Sequence, residues 1–168
     1  MKKMYLALAF VMLAAGAAAA QKTFYSREYR VGFRYPRTVK LAKSENEPEE
    51  NFKNLTGVSV IHPGRNIFGA TATLSASTIT QKACKEMPQA SIESKVSRKR
   101  FGNNVFYRVT ELDGGMESVQ QFEFYRTIQN GRCYEIRLQV GMAKNARTND
   151  VSAFSKLRTI LRTMYFRR

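Results

Sequence analysis

The side chains able to do acid–base or metal chemistry are few, and their spacing is poor for it. The chain has one histidine, His62, in the run Ile61-His62-Pro63-Gly64. A general base needs a nucleophile in reach and a third group to orient it, and the sequence offers neither around His62. A lone imidazole cannot supply a multi-histidine metal site either, and no cysteine or carboxylate stands at ligand spacing beside it. His62 therefore reads as a turn or surface residue. Glu45, Glu47, Glu49 and Glu50 concentrate negative charge, but they lack the Asp-x-Asp-x-Asp-Gly order of a calcium loop. They read as a solvated acidic loop. Asp113-Gly114-Gly115 falls between two strand patterns and not ahead of a helix, so it is a turn signal and not a phosphate cradle. No catalytic residue, metal or cofactor is expected.

The two cysteines, Cys84 and Cys133, carry redox chemistry. An even count in an exported chain points to a disulfide; the alternative is two separately buried thiols. A bridge would close a loop of about 50 residues and contribute about 4 kcal/mol, less any strain. The remaining chemistry is cationic. Lys95, Arg98, Lys99 and Arg100 lie in one run beside Phe101, and Arg27, Arg30, Arg34 and Arg37 decorate a strand pattern. Arg30 and Arg34 share a parity opposite to Phe33, as a stripe would. Guanidinium groups grip phosphate or carboxylate through two parallel bonds. Arg30, Arg34, Lys95, Arg98, Lys99 and Arg100 are thus the candidate anion-binding residues, against the plainer reading of a solvated outer sheet face.

The ends of the chain set the compartment. Lys2 and Lys3 precede an apolar run from Met4 to Ala20, which closes with Ala18 and Ala20 in the small-residue positions of a signal-peptide cleavage site. The run is short for a spanning helix, and its second half is nearly all Ala and Gly. Residues 1–20 are therefore expected to be a signal peptide and 21–168 a single globular domain, periplasmic or extracellular. No later stretch is apolar enough to span a bilayer. The whole chain carries 28 Lys and Arg against 13 Asp and Glu, a net charge of +15, and loss of Lys2 and Lys3 lowers it to +13. That balance favours anionic partners such as lipid headgroups, envelope polysaccharide or nucleic acid, or simply keeps the protein soluble.

Hydrophobic periodicity supplies the elements that would hold these groups. Val31, Phe33 and Tyr35 alternate on a strand that Pro36 ends. Residues 44–54 read as an exposed loop, and Gly57 to Ile61 as a short strand stopped by Pro63-Gly64. From Ala70 to Ile79, alanine and leucine alternate with threonine and serine. Thr80 caps a short helix starting at Gln81, with Cys84 inside it and Pro88 after it. Then comes an antiparallel meander: Val105 to Leu112, Ser118 to Ile128 and Arg132 to Val140, turning at Asp113-Gly114-Gly115 and at Gln129-Asn130-Gly131. Its apolar faces are Val105, Tyr107 and Val109; Phe122, Phe124 and Ile128; and Tyr134, Ile136, Leu138 and Val140. Last, Val151, Phe154, Leu157, Leu161 and Met164 recur at helical spacing, with Lys156, Arg158 and Arg162 projecting elsewhere. Asn149 or Asp150 is placed to cap that helix. Cys133 has the parity opposite to Tyr134. A bridge to Cys84 would therefore pin the short helix to one sheet face and leave the other to the terminal helix. The fold expected is α+β, an antiparallel sheet with a helix on each side.

This order of elements resembles the PsbP-like family, named for an extrinsic subunit of the photosystem II oxygen-evolving complex. The resemblance is carried by Phe33-Arg34-Tyr35-Pro36 closing an aromatic strand, by Gly131-Arg132-Cys133-Tyr134 opening the third meander strand, and by an amphipathic helix with a short aromatic tail from Leu157 to Phe166. It covers most of 24–166. It implies an α/β/α sandwich and a non-catalytic accessory or binding module, with no photosynthetic role. The leading expectation is an exported, non-enzymatic domain that contacts anionic envelope components through basic residues. The alternatives are a protein-interaction subunit of an envelope complex and a hydrolase with an unrecognised site.

Overall fold

The computed structural model describes residues 21–42, 51–61, 63, 66–87, 95–115, 117–144 and 151–168. The expected signal peptide, His62, Glu45, Glu47, Glu49, Glu50, Pro88 and the Asn149/Asp150 cap lie outside the described residues.

Alternation of apolar and polar residues produces two antiparallel sheets. The larger has the order β3-β4-β5-β9-β8-β7-β6. Its strands are Val39–Ala42 (β3), Lys53–Val60 (β4), Ile67–Ser77 (β5), Ser97–Phe101 (β6), Asn104–Gly114 (β7), Ser118–Gln129 (β8) and Arg132–Ala143 (β9). Two meanders, β3-β4-β5 and β6-β7-β8-β9, are thus zipped together along β5 and β9, where Ala72 faces Leu138 and Leu74 faces Ile136. The smaller sheet, in the order β1-β2-β10, joins Gln21–Ser26 (β1), Val31–Pro36 (β2) and Tyr165–Phe166 (β10). There are two described helices, α1 (Gln81–Glu86) and α2 (Val151–Thr163).

The main core lies on one face of the large sheet. Ala70, Ala72, Leu74 and Ala76 of β5 and Tyr134, Ile136, Leu138 and Val140 of β9 are buried there. Ala153, Phe154, Leu157, Ile160 and Leu161 of α2 cover them, with Val31, Phe33 and Tyr35 of the small sheet. Non-directional burial of this kind drives the fold. α1 sits on the opposite face. Thr80 caps it as expected, accepting a hydrogen bond from the Ala83 amide at 3.2 Å. The architecture is therefore the expected α+β one, a mainly antiparallel sheet with a helix on each side.

Several local expectations are corrected. Lys53 and Asn54 belong to β4, not to a loop. β1, β3, β6 and β10 were not anticipated, because short edge strands carry too few residues to show a period. In β7 and β8 the face apparent in sequence is not the one that meets the main core, whereas in β9 it is. Val109, Phe122 and Phe124 form a second cluster with Met87, while Phe106 and Tyr125 face α2 and Val105 is exposed. The fully buried Phe106 was hidden by its neighbours, since β7 is apolar on both sides.

Candidate functional site

The Cys84–Cys133 disulfide forms, with 5.8 Å between the Cα atoms. Both cysteines are fully buried beside Phe52, Ile79 and Ile128. Cys133 stands opposite Ser77 and Ile128 in the ladders, on the face away from Tyr134. The bridge thus ties α1 to that face.

The candidate basic residues divide into separate places. Arg98, Lys99 and Arg100 are exposed on β6, the outermost strand, just after exposed Lys95. Arg98 pairs with Tyr107 and Arg100 with Val105, so these two arginines share a face and Lys99 takes the other. The Arg98 guanidinium stands 5.8 Å from the Tyr107 ring centre, and Arg100 Nε donates to the Gly102 carbonyl at 3.3 Å. Arg34 is exposed on β2; its amide donates to Thr163 Oγ1 at 3.0 Å, and its carbonyl accepts from the same hydroxyl at 2.6 Å. Arg30 precedes β2, in a turn with φ +52°. Strand parity therefore does not apply to it, and Arg30 and Arg34 do not make a strand stripe.

Instead, the tertiary fold groups Arg30 with residues far away in sequence. The turn before β2 meets the Asn130-Gly131 hairpin and the C-terminal segment. Arg167 N donates to the Arg30 carbonyl at 2.9 Å, and Asn130 Nδ2 donates to the Arg167 carbonyl at 2.8 Å. Tyr134 Oη donates to the Tyr29 carbonyl at 2.7 Å, and Arg132 to the Glu28 carbonyl at 3.3 Å. The Tyr29 ring takes Arg132 at 5.0 Å and Lys53 at 5.5 Å, and Arg167 stands 4.8 Å from the Tyr25 ring. Such cation–π contacts hold guanidinium planes in place. Lys53 is pushed above its ordinary pKa by its hydrogen bond to Tyr29 and then by the Glu28 carboxylate. A cavity of about 240 Å³ opens here, lined by Glu28, Tyr29, Arg30, Asn130, Arg132 and Tyr134.

Two buried carboxylates were also missed. Glu123 on β8 is fully buried on the α2 side. Arg158 Nε donates to it at 2.9 Å, Arg108 at 2.7 Å and the Tyr125 hydroxyl at 2.8 Å. Burial raises the Glu123 pKa, but the hydrogen bonds from Arg158, Arg108 and Tyr125 outweigh it and hold the group below the ordinary carboxylate value. Burial, then the Glu123 charge, pushes the Tyr125 phenol up to about 12. The Glu123 hydrogen bond raises Arg158 further above its already high value. Arg158 thus does not project away, as its spacing suggested; it turns under the helix. On the opposite face, buried Glu135 accepts from Arg126 Nε at 2.6 Å, and the Arg126 guanidinium lies 4.8 Å from the Phe52 ring centre. The signal available in the sequence was a lone acid inside each of two long strands, β8 and β9, since a buried charge requires partners. Both carboxylates are engaged by arginine, so these networks hold elements together. Among the described residues no group of three or more His, Cys, Asp or Glu is placed to hold a metal ion.

No family model matches the sequence, and no curated protein matches it. Solved structures do match. A Bacteroides thetaiotaomicron protein aligns over 88% of this chain at 12% identity and TM-score 0.57; this chain spans only 48% of its length. The cyanobacterial PsbP of Synechocystis aligns over 89% of this chain and 94% of its own, at 12% identity and TM-score 0.52. LpqN of Mycobacterium tuberculosis, described as involved in cell envelope biogenesis, aligns over 88% and 91%, at 12% identity and TM-score 0.51. At this identity the likeness is one of fold, and the fold is PsbP-like.

Proposed function

We propose that the protein is an exported, non-enzymatic accessory domain that attaches to an anionic component of the cell envelope through its basic surface. One observation carries this reading. Arg98, Lys99 and Arg100 on the β6 edge, and Arg30, Arg132 and Arg167 around the turn before β2, form no ion pair among the described residues, while the paired arginines are committed to the interior. Unpaired cations on a chain whose expected charge after loss of residues 1–20 is +13 attract anionic surfaces over a Debye length of about 10 Å at 0.1 M salt. Supporting considerations are the signal-like 1–20 segment, a buried disulfide suited to an oxidising compartment, the lack of a catalytic constellation among the described residues, and the envelope role stated for LpqN. No described helix is long and apolar enough to cross a membrane.

The test is co-sedimentation of the purified protein with vesicles of phosphatidylglycerol and phosphatidylcholine, across a salt series. Binding to the anionic vesicles that falls steeply between 50 and 300 mM salt is expected. Equal partition onto neutral vesicles, or none onto either, refutes the reading.

A further inference from the structure

We propose that the cavity between the turn before β2 and the β8–β9 hairpin is a binding site for a phosphate group carried on a hydroxylated molecule. The proposal rests on the basic-surface reading above and gives that surface an address. The cavity measures about 240 Å³ and is lined by Glu28, Tyr29, Arg30, Asn130, Arg132 and Tyr134. That is below the roughly 300–1,000 Å³ of drug-sized sites and suits a head group.

Its charge is what distinguishes it. Glu28 supplies the only carboxylate in the lining, and that carboxylate faces Lys53 at 3.6 Å. The two guanidiniums, Arg30 and Arg132, have no carboxylate partner among the described residues. Arg132 is held in plane by the Tyr29 ring at 5.0 Å and by one bond to the Glu28 carbonyl at 3.3 Å. A guanidinium has five donors, so most of the fork remains available to an oxyanion. The other polar groups are already used in building the wall. Tyr134 donates to the Tyr29 carbonyl, and the Asn130 amide nitrogen donates to the Arg167 carbonyl.

A neighbouring cavity shares the Arg132 and Tyr29 wall. It measures about 310 Å³ and is lined by Tyr29, Asn51, Phe52, Lys53, Ala76, Ser77, Thr78 and Arg132. The first space has the charge for phosphate; the second has the Asn51, Ser77 and Thr78 groups that hydrogen-bond hydroxyls, with Lys53 at its rim. Arg30 adds an independent sign. Its φ of +52° is a conformation that glycine adopts freely and arginine only at a cost. A bulky cation stands at that position, and it lines the cavity.

The same feature supplies a clean variant. Arg30→Gly suits the backbone and removes only the cation, so it folds. The experiment titrates the purified protein with sn-glycerol 3-phosphate, inorganic phosphate and uncharged glycerol, by calorimetry and by chemical-shift changes. Phosphatidylglycerol vesicles form a separate arm. Expected are binding of glycerol phosphate, none of glycerol, and a loss of about tenfold or more in Arg30→Gly and in Arg132→Gln. Arg132→Lys should fall between, because it keeps the charge but not the fork. Lys144→Gln, exposed just past the end of β9 that lies away from Arg132, is expected to bind glycerol phosphate as the wild type does. Vesicle binding competed away by glycerol phosphate assigns the site to a lipid head group; soluble binding without vesicle competition assigns it to a free phosphate ester. If vesicles bind with the expected salt dependence but Arg30→Gly and Arg132→Gln behave as wild type in both arms, the site is refuted and the basic-surface reading stands. If the wild type binds none of the anions, both fail.

Discussion

Replacing Glu123 by glutamine tests whether the buried ion cluster is what fastens α2 to the sheet. Glu123 is fully buried and, among the described residues, is the carboxylate that pairs with both Arg108 and Arg158. Glutamine keeps the shape but leaves two guanidiniums without a counter-charge. Removing one side of a buried pair costs about 3–5 kcal/mol. The two arginine side chains retain 23% and 29% exposure and recover some hydration, which places the expected loss near the lower end, about 3 kcal/mol. For a chain of this size that lowers Tm by about 6–12 °C. Urea unfolding followed by far-UV circular dichroism measures it directly. The pH dependence has a definite sign. The folded pKa of Glu123 lies below its unfolded value near 4.3. The cluster's contribution is therefore fully present above the unfolded value and is lost as pH falls through the folded one, because the unfolded chain binds the proton first. Glu123→Gln should be less stable at pH 7 and should show a shallower loss of stability below pH 4. Glu123→Gln combined with Arg158→Met should lose less than Glu123→Gln alone, since one orphan charge is gone. A single variant within about 0.5 kcal/mol of wild type at pH 7 refutes the reasoning.

Three further outcomes are expected. Cys84→Ser with Cys133→Ser should cost about 2–4 kcal/mol in urea unfolding, and an undiminished midpoint would show that α1 is held by other contacts. Gly32→Ala should destabilise by about 1–3 kcal/mol, because a Cβ there would meet the Phe24 carbonyl at 2.7 Å and the Tyr165 ring at 2.5 Å; wild-type thermal stability would show that this crossing is loose. Tyr125, pushed up to about 12, favours the neutral phenol in the fold. Its contribution is present below the unfolded value near 10 and is lost as pH rises from there toward about 12. In an absorbance titration at 295 nm Tyr125→Phe should therefore remove the latest-titrating phenol, and an unchanged high-pH limb would count against its assignment.

Local chemistry was legible wherever one residue type decides the conformation. Thr80 before a polar turn of helix, Asn130-Gly131 between apolar strands, and the parity of Cys133 against Tyr134 each led to the structure seen. The α+β layout followed from periodicity, because a half-buried strand or helix must repeat its apolar residues at its own pitch. Burial of both faces of β7 and β8 was not legible, since alternation vanishes when each face meets a core of its own. Nor was the grouping of charges. Arg30 looked like a neighbour of Arg34 along the chain, yet it stands beside Arg132 and Arg167, because an antiparallel hairpin and the terminal strand return to the turn before β2. Glu123 was an acid in an apolar strand until the fold brought Arg158 from α2 and Arg108 from β7 to it. The sequence by itself determined the long strands, the two helices and which cysteines can pair. Only tertiary structure decided which charges meet, because ion pairs and anion sites join residues whose separation along the chain carries no period.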